Sequence, residues 1–398
     1  MKKRLIILLV LFLLLITLTG CWNSREIKTL AIVQAIGIDL TENGEICLTF
    51  QILKPSAIKA PSGKEGGGGG GEEKAVWVLT STGQTIFEAL RNATKKSGRK
   101  LYLPFNKVIV IGEDAARYGV GELTEFLDRD HEARRLAYIL IAKGKAKDII
   151  EASSEQEKIP AKGIENLIKA TFATSQIPEM TINDFHKIHA SKTASPFAPG
   201  IKTINKQIED QVITVAELED TAIFKKDKLI GWADKKETRG FLWILDKVKS
   251  GIINVDSPQE ENKKVSLEII SSSVRVEPEI RDGKLFITIK IKEKGNIGEQ
   301  MSGNVDLTKP ENFKELEKRQ ADVILSEINA ALSKIQMEYG VDIFNFGQEF
   351  HRKYPNEWKE LEKNWDEEIK NITVNVEVEA KLSLVGMSTY PEEYHEEE

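Results

Sequence analysis

VWVLTSTGQTIFEALRNATKKSGRKLYLPFNKVIVIG, residues 76–112, decides the fold. VWVLTST (Val76–Thr82) reads as a strand. QTIFEALRNATKKSG (Gln84–Gly98) sets Ile86, Leu90 and Ala93 on one helical stripe and stops at a glycine. KVIVIG (Lys107–Gly112) is an unbroken apolar run with the pattern of a buried strand. The alternation continues outward through ELTEFLDRD as helix, LAYILIAKG (Leu136–Gly144) as strand and AKDIIEAS as helix. Strand and helix taken in turn predict an α/β layer whose sheet is at least partly parallel.

Upstream, LAIVQAIGIDLTENGEICLTFQIL (Leu30–Leu53) holds two β-rich runs around Asn43-Gly44, a strong hairpin signal. SGKEGGGGGGEEKA (Ser62–Ala75) then interrupts with six consecutive glycines, and residues 62–73 are expected to be a flexible loop. A phosphate-binding loop needs its lysine after the glycines; here Lys64 precedes them and Glu72 and Glu73 follow.

Downstream, Pro160 to Lys206 reads as helical with breaks, Thr181 capping INDFHKIHAS before the proline- and glycine-broken SPFAPG. From Val212 a second block begins: a hairpin turning at Lys226-Asp227-Lys228, then KETRGFLWILDKVKSG as helix. Two strands joined at Arg281-Asp282-Gly283 come next, followed by a long helix over Glu311–Tyr339. TVNVEVEAKLSLVG, a period-two strand, closes the pattern. The whole predicts a mixed α/β (α+β) ectodomain with mixed sheets and flanking helices, the long helix lying in the carboxyl-terminal part.

The amino terminus fixes the setting. Lys2, Lys3 and Arg4 precede the wholly apolar Leu5–Ile16, which falls short of the ~20 residues a membrane span needs. A basic start, a short apolar run and small residues before the cut describe an export signal. Leu18-Thr19-Gly20-Cys21 has the form of a bacterial lipobox, so Cys21 is expected to carry a diacylglyceryl group and to begin the mature chain. Two acyl chains give stable attachment where one does not.

Loss of residues 1–20 takes the formal charge from −6 to −9, because the segment removes three cations and no acid. Such a chain has no basic block to neutralise phosphates, which argues against nucleic acid. Cys21 and Cys47 are the two cysteines, and with Cys21 lipidated no disulfide framework forms. Cys47, in the alternating EICLTF, reads as a small buried apolar side chain.

Catalytic patterns are weak. His186 and His189 stand three apart in a predicted helix, with no local cysteine or carboxylate cluster to complete a metal shell. Ser97-Gly98-Arg99-Lys100 fits Ser-x-x-Lys but has no companion motif and falls at a helix end. No cofactor is expected. Phe344, Phe346, Phe350, Tyr354, Trp358 and Trp365 crowd one stretch with Arg352 and Lys353. Their first duty is to clamp the long helix onto a sheet; Phe350, Arg352, Tyr354 and Trp358 are also the candidate partner-docking residues.

Several segments together resemble the Ger(x)C family, the C-subunit lipoproteins of bacterial spore germinant receptors. Cys21-Trp22-Asn23-Ser24-Arg25-Glu26-Ile27 is similar to the family's Cys-Trp-Asp-x-Arg-Glu-Ile start, with Asn23 in place of Asp. Asn106–Gly112 matches its core strand, with Asn106 where His is common, and Arg129-Asp130 with Arg134 matches a charged segment. Thr221–Trp232, Gly340–Phe344, Phe350–Pro355, Trp358 and Trp365 complete the resemblance. It implies a non-enzymatic subunit on the outer face of the inner spore membrane. There it would work with multi-pass A- and B-type subunits that sense small nutrients and trigger germination. The alternative is a solute-binding lipoprotein serving a transporter. The expected division is a signal peptide (1–20), an α/β domain (21–152), a helical middle (153–211), a second α/β domain (212–388) and an acidic tail (389–398).

Overall fold

The computed structural model describes residues 3–6, 26, 29–58, 74–130, 132–208, 211–260, 262–301, 305–307 and 309–383. Cys21, the glycine-rich loop and the acidic tail lie outside the described residues.

The first sheet grows from the quoted stretch. β1 (Leu30–Leu40) and β2 (Ile46–Leu53) form the expected hairpin, with Gly44 at φ 79° in its turn. β3 (Val76–Gly83) adds antiparallel to β2, and α1 (Ile86–Ser97) follows. Thr85 caps α1 by accepting from the Glu88 amide, and Gly98, left-handed, ends it. β4 (Lys100–Tyr102) and β5 (Val108–Ile111) both run parallel to β1, and β6 (Tyr138–Ala142) runs parallel to β5.

Every residue of β5 and β6 is buried, because both faces of these strands are covered. Ile109, Ile111, Ile139 and Ile141 face one side, with α2 (Glu113–Tyr118) and α3 (Val120–Arg129) over them. Val108, Val110, Leu140 and Ala142 face the other, against α4 (Ala146–Glu151) and α5 (Pro160–Ala170). Period-two alternation thus builds two apolar layers from one continuous run.

After α6 (Ile182–His189) the structure departs from the expected broken helix. Phe197–Ile208 is a strand, β7, joined in parallel to β6 and antiparallel to β8 (Gln211–Lys225). Pro199 and Gly200 sit at a register shift in that pairing, where a missing N–H is tolerated. A Cβ at Gly200 would come 2.2 Å from the Glu219 carbonyl oxygen, so only glycine fits. β9 (Lys228–Ala233) closes the edge through the foreseen turn, Lys226 taking φ 58°. The order is β3-β2-β1-β5-β6-β7-β8-β9 with β4 beside β1, so the sheet runs past residue 212 without a break.

The second sheet, β10 (Ile252–Asp256), β11 (Lys264–Arg281), β12 (Lys284–Gln300) and β13 (Thr373–Leu382), is antiparallel except for β12 and β13. Asp282 and Gly283, both at positive φ, turn β11 into β12. α7 (Lys235–Ile244) and the long α8 (Pro310–Ala331) pack on it, and α8 runs on as a π-helical segment, Leu332–Tyr339, to left-handed Gly340. α9 (Phe346–Lys353), α10 (Trp358–Leu361) and α11 (Trp365–Asn371) lead to β13. One apolar core, including Ile36 of the first sheet and Ile287 of the second, spans both.

Candidate docking surface

The aromatic stretch is organised around one acid. Asp342 is buried and accepts from the amides of Phe344 (3.1 Å), Phe346 (3.1 Å) and Gly347 (2.8 Å) and from the Trp365 indole (3.1 Å). Burial pushes its carboxyl up to about 6, against the pull of these four donors. Around it Phe344 stacks on Phe346 at 5.0 Å, Phe350 meets Trp365 edge-on at 5.9 Å, and Trp358 meets Trp365 at 5.0 Å. The Asp342 carbonyl also accepts from the Ser195 amide at 2.8 Å, tying this knot to the segment before β7.

The four candidate docking residues divide. Phe350 and Trp358 are inside the knot, because the same rings that would suit a partner complete the packing around Asp342. Arg352 is exposed and pairs with Glu349 across one helical turn; Tyr354 is half-buried, and the Lys353 amine stands 5.4 Å above its ring. Beside this rim lies a cleft of about 360 Å3 lined by Lys187, Thr193, His351, Trp358 and Glu362. Lys192 and Glu362 bridge its mouth at 3.2 Å.

A second, more apolar hollow of about 680 Å3 lies between α1 and α3. Phe87 stacks on Phe126 at 5.5 Å there, with Arg91 4.8 Å over the Phe87 ring. Glu122, Glu125, Arg129 and Glu132 rim it.

His186 and His189 flank Phe185, each 6.5 Å from its ring centre. Among the described residues no three His, Cys, Asp or Glu side chains are placed to hold a metal ion. Cys47 is half-buried in β2, where burial pushes its thiol upward, away from the thiolate form. Among the described residues no helix is long and apolar enough to cross a membrane.

Three buried polar features escape a reading of pattern alone. Asp39, at the end of β1, accepts from the Ala146 and Lys147 amides (2.8 and 2.9 Å) and so holds the start of α4. Arg239 of α7 and Glu327 of α8 form a buried pair, Glu327 also accepting from the Trp243 indole at 2.9 Å. Glu293 of β12 is buried with no hydrogen-bond partner among the described residues, and burial pushes it up to about 8. Asp39 and Glu327 leave a signal in the sequence as acids beside apolar runs, whereas Glu293, between Lys292 and Lys294, and Arg239, after Lys235-Lys236-Glu237, leave none.

Comparison with known proteins accounts for this architecture. The spore germination protein N-terminal domain matches residues 23–203, and the spore germination B3/GerAC-like C-terminal domain matches residues 219–386. Spore germination protein KC of Bacillus subtilis (strain 168) is 29% identical over 98% of both chains. Spore germination protein B3 of the same organism is 24% identical over 95% of this chain and 97% of its own. The crystal structure of the GerBC protein superposes on 87% of this chain and 96% of its own with a TM-score of 0.56 at 20% identity, which establishes the fold. The chain belongs to the Ger(x)C family, the C subunits of spore germinant receptors.

Proposed function

We propose that this chain is a non-catalytic, lipid-anchored subunit of a nutrient germinant receptor, scaffolding or coupling its multi-pass A- and B-type partners on the outer face of the inner spore membrane. The observation that carries the reading is the end-to-end match: domain models of one germination family cover both halves, in order. The short apolar leader ending at Leu18-Thr19-Gly20-Cys21 supports a diacylglyceryl anchor on Cys21. The rim formed by exposed Arg352 and half-buried Tyr354, backed by Phe350 and Trp358, supplies the docking face. Arginine and aromatic side chains on a rigid base are what interface anchors require.

A solute-binding lipoprotein would have two matching lobes about a hinge. The two sheets here differ in strand number and order and share one core, which favours the scaffold. The test is Cys21→Ala in spores. The protein should fold, leave the membrane fraction for the aqueous one and slow nutrient germination severely. Normal germination with the protein in the aqueous fraction defeats the anchoring role. A photocrosslinker at Arg352 should capture multi-pass membrane subunits from wild-type spores.

A further inference from the structure

Resting on the Cys21 anchor, we propose that the amino-terminal rim of the first sheet lies against the bilayer, Phe105 and Leu136 entering the headgroup layer beside Arg99 and Arg134. Three observations converge on this end of the molecule.

The first is the tether. Cys21 and Leu30, the first residue of β1, are nine residues apart, which spans at most ~30 Å even fully extended. β1 itself is 11 residues long, a further ~35 Å. The rim where β1 begins is therefore always within one tether length of the lipid, and the far end of the strand is a strand length further from the tether's attachment.

The second is what the parallel strands bring to that rim. Leu30 pairs with Lys100, while Val108 of β5 pairs with Tyr138 of β6, so the residues just before β5 and β6 emerge at the same end as the start of β1. Those residues include Phe105, 53% exposed, and Leu136, 66% exposed. Tyr102 leans on Phe105 at 5.8 Å, and Leu103, Asn106, Arg134 and Arg135 line one small cavity, so the two loops are neighbours. An aromatic ring and a leucine held out side by side are costly in water and suited to a headgroup boundary.

The third is charge. Of the nearby carboxylates, Glu132 pairs with Lys100 at 2.7 Å and Glu165 with Lys107 at 2.6 Å, while Glu179, accepting from the neutral Tyr138 hydroxyl at 2.7 Å, and Asp130, accepting from the Glu132 amide at 2.8 Å, keep their charge. Three exposed arginines, Arg99, Arg134 and Arg135, outnumber those two acids on a chain that is acidic as a whole. Anionic headgroups favour that rim downward and repel the rest.

The test uses the full lipidated chain in vesicles of phosphatidylglycerol and phosphatidylcholine. In a Cys47→Ser background, Phe105→Cys, Leu136→Cys and Asn43→Cys each carry an environment-sensitive fluorophore, and spin-labelled lipids serve as quencher. Asn43 is exposed in the β1–β2 turn, at the opposite end. Labels at 105 and 136 should be quenched at least about threefold more than the label at 43, and phosphatidylcholine alone or high salt should reduce the difference. Vesicle-bound protein with equal quenching at all three sites, or greatest quenching at 43, overturns the orientation while leaving the anchor standing. Protein that fails to float with the vesicles overturns the anchor, and the orientation with it.

Discussion

At the scale of single residues, two buried acids set opposite demands. Asp342 is surrounded by donors, so its replacement by Asn turns an amide NH2 toward an N–H and leaves a buried donor unpaired. A loss of about 2–3 kcal/mol is expected from chemical denaturation of Asp342→Asn. Glu293 meets no donor among the described residues and is neutral in the folded state below about pH 8. Its carboxyl ionises near 8 when folded and in the ordinary carboxylate range when unfolded, so the native state holds a proton that the unfolded chain releases. Stability contributed by this group is full at low pH and is lost as pH rises through about 8. Glu293→Gln should therefore flatten the fall in stability between pH 5 and 9 and make the protein more stable at the alkaline end, by a few kcal/mol at most. A parallel decline in wild type and variant melting temperatures would assign the pH dependence elsewhere. Gln320, also buried and with both polar atoms unpaired, stands on α8 near Glu293: each has an atom within 3.0 Å of the point a Cβ on Gly295 would occupy. The polar gap is therefore shared by strand and helix.

At the scale of elements, the contact between α7 and α8 leaves no room for a side chain at its crossing. A Cβ on Gly240 would fall 2.0 Å from the Glu327 carbonyl oxygen, so the two helices meet backbone to backbone. Gly240→Ala must push them apart, and a cost of about 3 kcal/mol or more is expected, against a gain of up to ~1 kcal/mol had the site been open. The Arg239–Glu327 pair sits at this crossing. Arg239→Met alone should cost about 3–5 kcal/mol because it strands a buried carboxylate, whereas Arg239→Met with Glu327→Leu should recover most of that loss in a double-mutant cycle.

Elements were legible where one local rule sufficed. Gly98 ends α1 in the sequence as it does in the structure, and Asp282-Gly283 turns the β11–β12 hairpin as its composition demands. β7 was not legible, because Pro199 and Gly200 read locally as breakers, and their strand conformation depends on β6 and β8, distant in sequence. The four docking candidates were visible as an aromatic and cationic cluster, but which of them face inward depends on how the chain folds back on Asp342, which gathers the Phe344, Phe346 and Gly347 amides and the more distant Trp365 indole.

At the scale of the whole molecule, a core common to both sheets implies that they melt together. Fluorescence from Trp243, Trp358 and Trp365, all buried in the second half, should follow the same thermal transition as far-ultraviolet circular dichroism. Two separated transitions would show that the halves unfold independently. The connection from β12 to β13 spans residues 301–372 before the two strands pair in parallel. β12 cannot gain its outer neighbour until the chain is almost fully synthesised. During synthesis one side of a 17-residue strand therefore waits with open amide and carbonyl groups, a template for mispairing between nascent copies. A protein cut short at residue 372 should accumulate as aggregates, and chaperones that shield strand edges become the natural custodians of its maturation.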